Sequence, residues 1–87
     1  MICAGDLVTC PWEGKGDGIL RLRRGPGVTT GLLEHVRLPV TCLVLADRQG
    51  ESLSDRWLLV MLTGRPAVLG WTRRSWHAWE RLGRIRQ

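Results

Sequence analysis

Eighty-seven residues with 44% hydrophobic content allow one small domain with a real core, and exclude a disordered chain and a multi-domain architecture. The net charge of +5 invites an anionic partner, but residues 1–68 are nearly balanced and the excess lies in residues 69–87, where five arginines stand against Glu80 alone. The longest unbroken apolar run, Trp57–Leu62, is far short of the ~20 residues needed for a bilayer-spanning helix, so a transmembrane helix is excluded too.

Three cysteines, Cys3, Cys10 and Cys42, are an odd number that closes no disulfide framework, and no charged segment followed by a long apolar run opens the chain. A reduced compartment and no secretion by signal peptide are expected. With no Phe and no Tyr, the aromatic bulk is all tryptophan: Trp12, Trp57, Trp71, Trp76 and Trp79.

In chain order, Gly5-Asp6-Leu7-Val8-Thr9-Cys10 predicts a first strand stopped by Pro11. Glu13-Gly14-Lys15-Gly16-Asp17-Gly18 has turn chemistry, because glycine supplies the positive φ of tight loops. The GxGxG string also matches phosphate-binding loops, but those run into a helix, whereas Ile19-Leu20-Arg21-Leu22-Arg23-Arg24 alternates as a strand does. Val28–Pro39 reads as a connection with room for a helical turn at Leu32–Val36, and its His35 reads as a surface residue. Thr41–Ala46 predicts a third strand, followed by a polar loop from Asp47 to Ser52.

The chain is organised around Arg56–Trp71, RWLLVMLTGRPAVLGW, where two apolar runs flank Thr63-Gly64-Arg65-Pro66 and predict a hairpin. Beyond it, Ser75 is placed to cap a short helix, Trp76–Leu82, that ends before Gly83 and carries Trp76, Trp79 and Leu82 on one face. With no crossover helix available, these elements predict an all-β domain over residues 1–87: a small, partly open barrel of about five strands, a short C-terminal helix, and a basic, tryptophan-rich segment at 72–87.

The order Gly5-Asp6-Leu7-Val8, Gly18-Ile19-Leu20, Trp57-Leu58-Leu59-Val60 and Leu69-Gly70-Trp71 resembles small SH3-like barrel proteins of bacteriophages, including those infecting cyanobacteria. The resemblance spans about residues 5–82, and the Gly25–Pro39 connection and the arginine-rich end depart from it. It implies an SH3-like barrel serving as a binding or virion module rather than an enzyme, in a virion or the host cytoplasm.

The chemistry-bearing residues point the same way. Cys3, Cys10, Cys42, His35 and His77 lack the CxxC or HxxxH spacing of a metal site, and Cys42 among strand hydrophobics reads as a core residue. Neither histidine stands by a nucleophile elbow, and Asp47, Glu51 and Asp55 read as a solvated turn, so no catalytic residue, metal or cofactor is expected. Trp71-Thr72-Arg73-Arg74-Ser75-Trp76 interleaves stacking surfaces with guanidinium groups, which supports a sequence-tolerant nucleic-acid binder using Arg73, Arg74, Trp76, Arg81 and Arg84. Against it stands strand patterning: both faces of Leu43–Leu45 and Trp57–Leu62 are apolar, and a face not filling the core must be covered by the chain itself or by another protein. The leading expectation is a protein-interaction module docking through exposed strand hydrophobics and Trp76, Trp79, Leu82, Arg73, Arg74, Arg81 and Arg84. Its expected partners are other proteins of a larger assembly, with self-association and nucleic acid as alternatives and no membrane.

Overall fold

The computed structural model describes residues 2–12, 14, 16–50 and 54–84, so Glu13, Lys15, Glu51 and Ser52 of the expectations above, and residues 85–87 of the basic segment, lie outside the described residues. It is all-β. Strands β1 (Asp6–Cys10), β2 (Ile19–Arg23), β3 (Leu32–Arg37), β4 (Val40–Gln49), β5 (Arg56–Leu62), β6 (Leu69–Arg73) and β7 (Glu80–Arg84) form one antiparallel sheet in the order β3-β2-β6-β5-β4-β1-β7. β3 and β7 are its edges, and the sheet is not closed.

The hairpin at the centre of the sequence is at the centre of the sheet. β5 and β6 pair with Leu58 opposite Thr72 and Val60 opposite Gly70, and the turn is secured by Leu62 N–H donating to the Val68 carbonyl at 3.0 Å. Leu58, Val60 and Leu62 are buried together with Val8, Leu20, Leu22, Val36, Cys42 and Val44 in one cluster. Because β1, β2 and β3 all contribute to that cluster, the sheet must curl until its far strands close over a shared face. A close passage lies where β2 meets β6 at the register pair Arg23 with Trp71. A Cβ on Gly70 would lie 2.7 Å from Leu22 Cβ, so the glycine of the Gly70-Trp71 step is required by this close approach.

The structure corrects three expectations. The connection Val28–Pro39 contains no helical turn: Leu32–Arg37 is strand β3, paired along β2 with Val36 opposite Leu20. A five-residue helix is too short to stabilise itself, whereas pairing with β2 satisfies the backbone and brings Val36 into the core. β4 runs on through Asp47, Arg48 and Gln49, which pair with Leu58, Trp57 and Arg56 instead of looping out. A register shift between Val44 and Ala46 leaves Leu45 exposed.

The third correction is the C-terminal helix, which does not form. Arg74–Trp76 is a single 3₁₀ turn with no side-chain cap from Ser75, His77 is already extended, and Glu80–Arg84 is strand β7 along β1. Seven residues gain little from helical propensity alone, while the otherwise unpaired edge of β1 offers partners to the backbone. The count is therefore seven strands rather than about five. Trp76 and Trp79 do not share a face: Trp76 meets Trp57 edge-on, with ring centroids 5.7 Å apart, and Trp79 packs against the core cluster.

Candidate functional site

Arg73, on β6, has its guanidinium 5.2 Å from the Trp57 ring and 4.7 Å from the Trp76 ring, between the two indoles. Its Nε lies 2.8 Å from Asp55 Oδ1 without hydrogen-bond alignment, and its Nη2 donates to Oδ2 at 3.4 Å, so the contact is mainly ionic. Asp55 Oδ2 also accepts from Trp57 Nε1 at 3.1 Å. Trp57 breaks the alternation of β5: it is fully buried on the face opposite Leu58 and Val60, and Arg73, Trp76, Asp55 and Gly50 are among the residues against it.

Arg81 and Arg84 converge on Asp6, a fully buried carboxylate on β1. Arg84 Nε donates to Asp6 Oδ1 at 3.0 Å, Arg81 Nε lies 3.9 Å from the same oxygen, and Cys3 N–H donates to Oδ2 at 2.9 Å. The Cys3 amide and then the Arg84 and Arg81 guanidinium groups hold the Asp6 carboxyl below its ordinary range, against the opposing effect of burial. Arg84 also approaches Cys3 Sγ through Nη2. Leu82, between the two arginines, projects from the sheet edge with 57% of its surface exposed. Arg74 differs from the other three: among the described residues no carboxylate lies within ion-pair distance of it, and its carbonyl accepts from Trp79 Nε1 at 3.0 Å.

The seven residues expected to carry docking thus fall into three places. Arg73 and Trp76 pack on Trp57, Arg81 and Arg84 hold Asp6 beside the exposed Leu82, and Arg74 and Trp79 line a cleft of about 330 Å³ together with Ile2, Arg56 and His77. Beside this cleft runs a groove of about 380 Å³ whose walls include Pro11, Trp12, Leu38 and Trp76, with Ser75 and His77 shared between the two. The groove continues into a recess of about 200 Å³ over Gly18 and Ile19 toward Arg21, which is ion-paired with Asp17. Trp12 and Trp76 keep 43% and 44% of their surface exposed, so two large indoles face one open groove.

Sequence reasoning did not find Trp12, Leu38, His77 or Arg56 as lining residues. Trp12 carried a signal, since a tryptophan directly after a strand-ending Pro11 has no place in the strand pattern. Leu38 and Arg56 are brought there by β3 and β5, which no local pattern reveals. In the described part of the Gly-rich loop, Asp17 Oδ1 accepts from Ile19 N–H at 3.0 Å as β2 begins, and the ring of Trp12 lies against Gly18.

Among the described residues no three His, Cys, Asp or Glu side chains converge, Cys10 and Cys42 are buried in the core, and burial pushes the Cys42 thiol up to about 12. Burial also pushes the His77 imidazole below its ordinary value, so it is neutral near pH 7. No helix among the described residues is long and apolar enough to cross a membrane. In comparison with known proteins, the chain matches no family model, no curated relative and no solved structure.

Proposed function

We propose that this chain is a non-enzymatic docking module that binds another protein of a larger assembly, in concrete form a component of a bacteriophage particle, as its resemblance to small SH3-like phage proteins suggests. The observation that carries the docking reading is the groove in which Trp12 and Trp76 stand half-exposed on one surface. Tryptophan is enriched among residues that dominate protein interfaces, and two exposed indoles in one concavity have an apolar area that a partner can remove from water. The competing nucleic-acid reading is weakened by the same geometry: Arg73, Arg81 and Arg84, three of its five residues, are bound to Asp55 and Asp6 of the chain itself.

The test is a Trp12→Ala chain recovered beside the wild type from the assembly that contains it, with size measurement at about 50 and 200 mM salt. The wild type is expected to elute in a larger protein complex at both salt concentrations, because an apolar interface loses little to screening. Trp12→Ala is expected to elute alone with its melting temperature unchanged. A wild-type chain that is monomeric and co-purifies with nucleic acid, lost by orders of magnitude over that salt range, would establish the nucleic-acid reading in its place. A wild-type chain that elutes as a dimer of itself would mean self-association.

A further inference from the structure

The cleft beside the tryptophan groove carries a charge that no described carboxylate neutralises. Arg56 and Arg74 both line it, and among the described residues no carboxylate does. Asp47 engages Arg56 at two points, Nη2 to Oδ2 at 3.1 Å and Nε to Oδ1 at 3.2 Å, whereas Arg74 meets no carboxylate among the described residues. Among the described residues about one positive charge is therefore left over, in a concavity that Ile2 and Trp79 also line. Elsewhere in this end of the molecule guanidinium groups are matched to carboxylates: Arg73 to Asp55, Arg84 and Arg81 to Asp6, Arg21 to Asp17. The unmatched Arg74 stands where a ligand would meet it.

Continuity supplies the rest. Ser75 and His77 form the wall shared by this cleft and the Trp12–Trp76 groove, so one extended segment crossing that wall reaches both. The groove contributes indole faces and Leu38, and its nearest ion pair, Arg21 with Asp17, is neutral in sum. Apolar side chains suit the groove, and an anionic side chain suits the cleft, where a guanidinium group makes charge-assisted hydrogen bonds to a carboxylate.

We infer that the partner docks through an extended acidic–apolar peptide segment, seating an apolar side chain between Trp12 and Trp76 and an Asp or Glu carboxylate on Arg74 with Arg56 beside it. This inference rests on the docking reading and specifies its partner. Arg74 sets the charge preference of the site, and the tryptophan groove supplies its area.

A random octapeptide library displayed on yeast, selected against the full chain, tests it. The wild type is expected to enrich peptides carrying Asp or Glu together with Leu, Phe or Trp. A selected peptide, synthesised and titrated by tryptophan fluorescence, is expected to lose about tenfold in affinity on its own Glu→Gln change or on Arg74→Gln in the chain. Arg74→Glu is expected to switch the selected preference to Lys or Arg, a reversal that a merely destabilised chain would not produce, and matching melting curves would show that each variant is folded. Selected peptides that depend on Trp12 but carry no acidic residue would overturn the inference and leave the docking reading standing. If no selected peptide depends on Trp12 or Trp76, both fall. An oligo-dT 12-mer bound more tightly than any selected peptide, in a manner lost with Arg74→Gln, would overturn the inference in favour of nucleic acid.

Discussion

Arg84 and Arg74 lie ten positions apart in one basic segment, yet the fold assigns them opposite circumstances. Arg84 sits on β7 with its guanidinium on the buried Asp6, and its charge helps hold the last strand to the first. Arg74 leaves the sheet in a 3₁₀ turn and lines a cleft with no carboxylate among its described lining residues. Charge density along a chain therefore says little about the field a partner meets, because acidic residues distant in sequence can cancel it in space. Asp6 and Asp55, 78 and 18 residues from the arginines they bind, perform that cancellation here.

This contrast between an anchored and an open region can be broken at several points. The largest effect is expected at the anchored aromatic cluster. Trp57→Ala removes a fully buried indole, with Trp76, Arg73 and Asp55 packed on it, and should cost about 3–5 kcal/mol, seen as a lowered denaturant midpoint.

Next comes Asp6. Its folded-state pKa is depressed, so the stability it contributes is present above its unfolded value near 3.8 and is lost as pH falls through the folded value. The wild type should lose stability in thermal melts on acidification below about pH 4. Asp6→Asn should be less stable at pH 7 and show a flatter pH profile, since two guanidinium groups then lack their carboxylate whatever the pH. A profile as steep as that of the wild type would place the acid-labile group elsewhere.

The smallest effect on stability is expected at the open region. Arg74→Gln should change unfolding free energy by no more than ~0.5 kcal/mol, because no ion pair among the described residues is lost. If Arg74→Gln destabilised the chain as much as Asp6→Asn, the distinction between anchored and unmatched arginines would collapse.

Much of the fold was legible locally. Alternating apolar residues in Ile19–Arg23 and the unbroken apolar run Trp57–Leu62 specify strands, and Thr63–Pro66 specifies the turn between β5 and β6. Leu32–Arg37 was not legible, because its burial pattern has one buried residue, Val36, and its strand state depends on β2 lying alongside. The helix expected at Trp76–Leu82 failed for a related reason: local spacing placed both tryptophans on one side, but each found a different neighbour, Trp57 for one and the core for the other.

The candidate site divides along the same line. The amino-acid sequence by itself determined an all-β chain, a central hairpin and a basic, tryptophan-rich end, because strand periodicity, turn residues and charge are properties of neighbours along the chain. Only the tertiary structure decided which arginines are neutralised, that Trp12 and Trp76 line one groove, and that Arg56 joins Arg74 in one cleft. Those relations depend on how β1, β5 and the 3₁₀ turn are brought together when the sheet curls. That curl follows from burying one shared face, a constraint on the whole chain that no short window of sequence contains.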